Sequence, residues 1–298
     1  MATVGSGQFT YEVVENWGTL PDGMTFGPIS SVAVDSQDRV FAFQRKDPAV
    51  VILDKDGNYV DSWGSGFKFP HGIFIGPDDL VYLTDRDDHV AQVYTLDGKL
   101  IRELGNKGQP SDTGCTIDGG IVLRAAGPFN KPTELVPSPS GDLYVSDGYR
   151  NSRVHRFSSE GELILSFGEP GKLEKEELHL PHSIYADWQE VLYVCDRENS
   201  RVQSFTRDGI FLNSWTDVVR PTDIYMDAND IAYVSELAPR ISVFDKEGNL
   251  LARWDSPSGH GIYGDSKGDL YLAEVAGQRI TKYVNRPEGG LQYVKGFL

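Results

Sequence analysis

The chain has 298 residues, a formal net charge of −16 at pH 7 and two cysteines. This charge argues against nucleic acid and anionic membranes as partners, since phosphate binding needs concentrated Lys and Arg. No apolar run approaches the roughly 20 residues of a membrane-spanning helix, and the N-terminus lacks a basic segment followed by an apolar core. Because two cysteines suit a reducing compartment, the sequence predicts a cytoplasmic protein.

The sequence repeats with a period of about forty residues. Each repeat opens on Pro or Gly with an apolar position, passes a turn, and enters an alternating strand such as Leu143-Tyr144-Val145-Ser146. A third strand follows, as in Arg201-Val202-Gln203-Ser204-Phe205, and then an Asp-Gly or Glu-Gly pair such as Asp97-Gly98. Such pairs supply the positive φ of tight hairpins. Four short antiparallel strands per repeat are typical of β-propeller blades.

We therefore predict an all-β fold, a six-bladed β-propeller that forms a single domain over residues 1–298. The sixth repeat lacks a fourth strand, and residues 9–18 have the pattern of a displaced one. We expect this N-terminal strand to pair with the sixth blade and close the ring, which covers an open sheet edge. The predicted blades are residues 27–64, 69–105, 130–168, 180–215, 220–254 and 259–285 with 9–18.

Histidine occupies one position in alternate repeats, and the other three repeats have Ile or Thr there. In a ring of six blades, alternate blades are about 120° apart, so we expect the three imidazoles to converge. Three neutral imidazoles bind Zn²⁺ and leave a position open for substrate or water, although other divalent first-row metals accept the same ligands. The pattern predicts a metal site formed by His71, His182 and His260.

A second group of polar residues follows the second strand of each repeat, on the face where the first strands begin. We expect these residues to surround the metal, either as substrate-binding groups or as solvated charges. Guanidinium groups among them can bind a carboxylate in a bidentate manner. The group comprises Arg45, Asp85, Arg86, Asp147, Gly148, Tyr149, Arg150, Asp196, Arg197, Glu236 and Glu274.

Two connections are longer than the regular spacing, residues 106–129 and 169–179. Both join a fourth strand to the next first strand, so we expect them on the face that carries the histidines. A long connection inside a compact domain is more often functional than accidental. We interpret them as a lid or a cleft wall, with a plain surface excursion as the alternative.

The segments Leu143–Asp147 and Asn151–Val154 resemble the NHL repeat. A narrower likeness rests on Val145–Arg153, Pro181-His182-Ser183 and Asp196–Gln203, which look like the peptidyl-α-hydroxyglycine α-amidating lyases. The family cleaves a carbinolamide to an amide and glyoxylate, with a divalent metal held by three histidines.

This resemblance implies metal ligands at His71, His182 and His260, and catalytic roles for Tyr149, Arg197 and, on a weaker local match, Arg45. It also implies a structural calcium ion held by an Asp directly after the third His. This chain has Gly261 at that position, so the predicted cofactor is one divalent metal ion, Zn²⁺ by preference, with calcium doubtful.

The sequence thus predicts a metal-dependent lyase acting on a small carbinolamide such as an N-acyl-α-hydroxyglycine. One alternative is a metal-dependent hydrolase or hydratase that uses the same site on an amide, ester, lactone or unsaturated compound. Another is a non-catalytic NHL interaction module. A calcium-dependent lactonase is less favoured, because such sites use oxygen ligands. The expected partner is a small molecule carrying a carboxylate or amide, without nucleic acid or membrane, and the oligomeric state is open.

Overall fold

A computed structural model of the chain describes residues 2–287, which divide into two compact units. Unit 1 comprises residues 2–66 and 223–287, and unit 2 comprises residues 67–222. Within the described residues all secondary structure is β-strand except one short 3₁₀ helix, Arg197–Asn199. The alternating apolar and β-branched runs form these strands because such side chains pack well on a pleated surface. The Glu-Gly and Asp-Gly pairs lie in the turns, with a φ of 90° at Gly161 and 81° at Gly209.

The first part of unit 1 contains six strands. The third to sixth of them form the first blade, a sheet in the order β3-β4-β5-β6, as predicted for residues 27–64. The strands are β1 (Thr3–Ser6), β2 (Phe9–Trp17), β3 (Ile29–Val34), β4 (Val40–Gln44), β5 (Val50–Leu53) and β6 (Tyr59–Trp63).

Unit 2 contains the second, third and fourth blades, each a four-stranded antiparallel sheet. A short parallel pair, β15 with β16, lies in the connection 169–179. The strands are β7 (Pro70–Ile75), β8 (Leu80–Asp85), β9 (Val90–Thr95), β10 (Leu100–Gly105), β11 (Pro132–Pro137), β12 (Leu143–Asp147), β13 (Arg153–Phe157), β14 (Leu163–Phe167), β15 (Glu169–Pro170), β16 (Glu177–Leu178), β17 (Pro181–Ala186), β18 (Leu192–Asp196), β19 (Arg201–Phe205) and β20 (Phe211–Trp215).

The fifth and sixth blades complete the fold. The fifth is a sheet in the order β21-β22-β23-β24, and the sixth has the order β1-β2-β27-β26-β25. The predicted all-β class with six propeller blades is therefore confirmed. The strands are β21 (Pro221–Met226), β22 (Ala232–Glu236), β23 (Arg240–Phe244), β24 (Leu250–Asp255), β25 (Gly261–Gly264), β26 (Leu270–Glu274) and β27 (Arg279–Asn285).

The hydrophobic core lies between neighbouring sheets. In unit 2, Val136 and Tyr144 of the third blade pack with Ile184 and Val194 of the fourth, and all four are buried. Sheet-to-sheet packing of this kind leaves the loops at the strand ends to carry function, held in place by a rigid scaffold.

Strand β2, near the N-terminus, supplies the fourth strand of the sixth blade, as predicted for residues 9–18. Strand β2 pairs antiparallel with β27, placing Tyr11 opposite Asn285 and Val13 opposite Tyr283. Tyr11 is 1% exposed, and its ring lies 5.2 Å from that of Trp254. The structure adds β1 as a fifth strand beyond β2, which the sequence did not predict. The single-domain organisation of residues 1–298 stays a prediction, and residues 288–298 lie outside the described residues.

We expect Tyr11→Ala to lower the free energy of unfolding by about 3–5 kcal/mol, the range for replacing a buried aromatic side chain by Ala, which leaves a cavity. Denaturant-induced unfolding measures this change. Leu250→Ala is the matched control, because Leu250 is apolar but 41% exposed on an outer strand of the same unit. An equal effect of the two substitutions would contradict the anchoring role of Tyr11.

Candidate active site

Two of the predicted metal ligands lie next to each other in unit 2. His71 is the second residue of β7 and His182 the second residue of β17, and each is 2% exposed. Their ring centroids are 4.7 Å apart. The repeat register, which gives both residues the same place in their blades, therefore brings them together.

Backbone carbonyls fix the protonation of both rings. Nδ1 of His71 lies 2.7 Å from the carbonyl oxygen of Thr133, and Nδ1 of His182 lies 2.6 Å from that of Thr222. A carbonyl oxygen only accepts, so Nδ1 must carry the hydrogen and Nε2 of the neutral ring is an acceptor. Metal-bound histidines have this arrangement, in which the other ring nitrogen donates to a carbonyl or carboxylate.

The Tyr149 hydroxyl lies between the two Nε2 atoms, 3.2 Å from His71 and 3.3 Å from His182. A hydroxyl has one hydrogen and can donate it to only one of these acceptors at a time. Two acceptor lone pairs therefore point at one small volume, which is the arrangement that a cation requires.

Two arginines flank the ring of Tyr149. The Arg86 guanidinium lies 4.6 Å from the ring centroid, and that of Arg197 lies 5.4 Å from it. Nη1 of Arg197 is also 3.5 Å from the Tyr149 hydroxyl oxygen. Glu198 accepts from Arg197 and Arg220; burial raises the pKa of Glu198, but these two arginines hold it below its ordinary value. The surroundings of the phenol are therefore cationic.

The backbone at Gly148 sets the position of Tyr149. A Cβ atom at residue 148 would lie 2.1 Å from the carbonyl oxygen of Pro181, the residue before His182. Only glycine permits this close approach. The Asp-Gly-Tyr sequence thus places the phenol beside the strand that carries His182.

His260 of unit 1 has the same local chemistry as the other two histidines. It is half-buried, and its Nδ1 lies 2.7 Å from the carbonyl oxygen of Ser30. The neutral ring therefore also has Nε2 as its acceptor. The next residue is Gly261, where a Cβ would lie 2.7 Å from the Cα of Ser31. An Asp does not fit there without movement of the backbone, so the calcium site implied by the family resemblance has no place for its carboxylate.

The acidic residues that end the second strands have a structural role. Asp147 accepts from the Asn130 amide at 3.0 Å and from the side chain of His155 at 3.2 Å. Asp196 accepts from the His179 amide and from Arg201; burial raises the pKa of Asp196, and these hydrogen bonds oppose the rise. Each carboxylate ties the loop before a first strand to the second and third strands of its blade.

Glu236 and Glu274 have partners inside their own sheets. Glu236 accepts from Arg240 at 2.9 Å and from Ser242. Both carboxylate oxygens of Glu274 accept from Nε of Arg279 at 2.9 Å, and Thr281 donates to one of them. These contacts join the second strand of each blade to its third strand, and none of them supports the predicted binding of substrate, which stays a prediction.

Arg45 and Arg150 are the two remaining predicted residues. Arg45 follows β4, is half-buried, and donates its backbone N–H to the Pro28 carbonyl. Arg150 donates from Nε to Asp118 at 2.6 Å. Asp118 lies in the connection 106–129 and also binds Lys131. Lys131 was not among the predicted residues, although it occupies the repeat position of Phe69, directly before the Pro that opens a first strand.

Comparisons of sequence agree with the family resemblance. Residues 178–205 match the sequence profile of the NHL repeat. NHL repeat-containing protein 3 of Homo sapiens is 27% identical, over 92% of this chain and 84% of that protein. The probable peptidyl-α-hydroxyglycine α-amidating lyase of Caenorhabditis elegans is 28% identical over 68% of this chain, and the peptidylglycine α-amidating monooxygenase of Rattus norvegicus is 29% identical over 68%. The chain spans 65% and 23% of these last two proteins.

Comparisons of structure show the fold. A streptogramin B lyase superposes with a TM-score of 0.66 at 12% identity, over 94% of this chain and 100% of that chain. A gluconolactonase of Xanthomonas campestris gives 0.65 at 15% identity, over 94% and 91%. The predicted likeness to NHL repeats and to amidating lyases is confirmed by the sequence comparisons, and lyase-named relatives support an enzyme of the lyase type.

We expect Glu274→Gln to lower the free energy of unfolding by about 1.5–3 kcal/mol, the value of hydrogen bonds to a charged group. Chemical denaturation measures this loss. Glu15→Gln is the control, because Glu15 binds the same Arg279 from a position that is 61% exposed, where an ion pair contributes about 0–1 kcal/mol. Unchanged stability of Glu274→Gln would contradict the structural role.

Proposed function

We propose that this protein is a metal-dependent lyase that cleaves the C–N bond of a small carbinolamide, an N-acyl-α-hydroxyglycine or a close relative, to an amide and glyoxylate. One observation carries the proposal: a single phenol lies between two imidazole acceptors and beside an arginine, within 3.2–3.5 Å of each. This arrangement combines metal ligands, a proton-transfer group and an anion-binding group.

His71, His182 and His260 are the proposed metal ligands. All three have the same local chemistry, because the carbonyl on each Nδ1 leaves Nε2 as the donor atom. The residues present thus fit a tris-imidazole site, for which Zn²⁺ is the preferred ion and other first-row divalent metals are acceptable. Such an ion supplies Lewis acidity, which polarises an oxygen of the substrate.

The chain's own residues bind the substrate and move its proton. Arg197 and Arg45 are the proposed ligands of the substrate carboxylate, since a guanidinium fork matches a carboxylate. Tyr149 accepts the proton of the substrate hydroxyl while passing its own proton to the departing nitrogen. The hydroxyl oxygen forms the C=O bond of glyoxylate as the C–N bond breaks, and the nitrogen leaves as a neutral amide.

The contacts of two carboxylates bear on the choice between this chemistry and the hydrolase alternative. Hydrolysis by a metal-bound water needs a nearby general base, and the candidates for it are Glu236 and Glu274. Both bind arginines of their own sheets, whereas the lyase reaction needs no water. The contacts therefore favour the lyase. A non-catalytic module would need neither a metal nor the phenol.

The proposed location and partners follow from the sequence predictions. Within residues 2–287 no helix is long and apolar enough to cross a membrane. A cytoplasmic location and the absence of nucleic-acid and membrane partners stay predictions, and they favour a small metabolite over a secreted peptide as the substrate.

Protein purified in zinc-containing buffer should carry about one metal ion per chain, the stoichiometry of a single site. We expect His182→Ala to lose it, because two imidazoles hold a divalent ion far more weakly than three. His179→Ala should keep it, since His179 contacts the Gly119 carbonyl and is not a proposed ligand. Elemental analysis gives the stoichiometry. Metal-free wild-type protein under these conditions would remove the lyase and the hydrolase together.

Metal-loaded protein should release glyoxylate from α-hydroxyhippurate. We expect Tyr149→Phe to lower kcat by about 10²–10⁴-fold, the contribution of a positioned proton-transfer group, with unchanged metal content. Tyr144→Phe is the control, because Tyr144 is a buried tyrosine of the same blade whose hydroxyl bonds to the Arg207 carbonyl. Full activity of Tyr149→Phe would exclude the phenol from the reaction.

A further inference from the structure

The connection 106–129 crosses unit 2 in contact with the backbone of Tyr149. The amide of Gly119 donates to the Tyr149 carbonyl at 2.7 Å, and the hydroxyl of Thr113 donates to the Arg150 carbonyl at 2.5 Å. Nε2 of His179 lies 3.2 Å from the Gly119 carbonyl. The connection is therefore hydrogen-bonded to the main chain of the residue that carries the phenol.

The side chain of Asp118 joins this connection to three cations. Its carboxylate lies 2.6 Å from Nε of Arg150, 2.9 Å from Nζ of Lys131 and 3.3 Å from Nη2 of Arg86. Burial raises the pKa of Asp118, but the hydrogen bonds from Lys131 and Arg150 hold it below its ordinary value. Asp87 also binds Arg86 and Lys131. The two carboxylates, Asp118 and Asp87, thus face the three cations, which leaves one net positive charge beside the phenol.

Arg86 transmits the position of Asp118 to the phenol ring. Its guanidinium is 3.6 Å from the ring centroid of Phe69 and 4.6 Å from that of Tyr149, and its side chain is 10% exposed. A guanidinium between two rings has a fixed plane but can slide along them. Two carboxylates fix it in that remaining direction: Asp87, 2.8 Å from Nε, and Asp118, 3.3 Å from Nη2.

We infer that Asp118 is a positioning residue for Tyr149, acting through Arg86 on the ring and through Gly119 on the main chain. This inference rests on the proposed function. A phenol that relays a proton between an oxygen and a nitrogen must be held within about 0.5 Å of its productive place, and a displacement of about 1 Å costs on the order of 10²-fold in rate. Asp118 and Gly119 thus give the connection 106–129 a role in supporting the active site, unlike a plain surface excursion.

The test compares Asp118→Asn with Asp112→Asn on α-hydroxyhippurate. Asp112 lies in the same connection, is 82% exposed and pairs with Arg124, so its substitution should leave kcat within about twofold, as expected for an exposed pair. Asp118→Asn should lower kcat about 10–100-fold with KM and metal content nearly unchanged, and Asp118→Glu should restore part of the loss. An unchanged kcat in a folded Asp118→Asn protein would overturn the inference.

A double-mutant cycle with Arg86→Gln separates positioning from general destabilisation. If Asp118 acts through Arg86, its substitution should cost much less in the Arg86→Gln background than in the wild type, because contacting residues are energetically coupled. Fully multiplicative losses in kcat would exclude the route through Arg86.

Amide hydrogen exchange provides a readout that does not require turnover. Asp118→Asn should accelerate exchange at Gly119 by at least about tenfold, since its donor bond to Tyr149 would then open more often, and Asp112→Asn should not. Wild-type protein that releases no glyoxylate would refute the proposed function, and the exchange result would then decide whether Asp118 holds the Tyr149 segment. Unaltered exchange would show that it does not.

Discussion

The hydrogen bond from an imidazole Nδ1–H to a backbone carbonyl is the interaction on which the candidate site depends. His71, His182 and His260 each make it, at 2.6–2.7 Å. Because a carbonyl oxygen can only accept, the bond selects one tautomer, fixes the plane of the ring and makes Nε2 the atom that would bind the proposed metal. The acceptor belongs to the first strand of the next blade, so the packing of neighbouring sheets, rather than the histidine's own loop, sets the direction of each ligand.

Two local structural features of the repeat support the rest of the site. Glycine at positions of close approach lets neighbouring blades come together: a Cβ at Gly72 would lie 2.5 Å from the Thr133 carbonyl, and one at Gly148, just after a second strand, would meet Pro181. Buried carboxylates at the ends of second strands then bind the loops to the sheet. The scaffold is therefore rigid where the histidines and Tyr149 are attached, while the long connection 106–129 supplies Asp118.

Much of this could be predicted from the sequence because the repeat fixes register. The six blades, the pairing of residues 9–18 and the equivalence of the three histidines all follow from one period. The structural role of Glu274 could not be predicted. The sequence shows Arg279 five residues after Glu274, but only the paired strands show that the two side chains lie on the same face of the sheet. Asp118 and Lys131 were missed for a different reason: the connection 106–129 is outside the repeat, so no periodicity relates the two residues.

X-ray absorption spectroscopy at the zinc edge tests the tris-imidazole centre most directly. For zinc-loaded protein the account predicts a first coordination shell containing three imidazole nitrogens at about 2.0–2.1 Å with their outer-ring scattering, plus one light-atom ligand. A sulfur shell near 2.3 Å, or a shell of oxygens with fewer than three imidazoles, would contradict it.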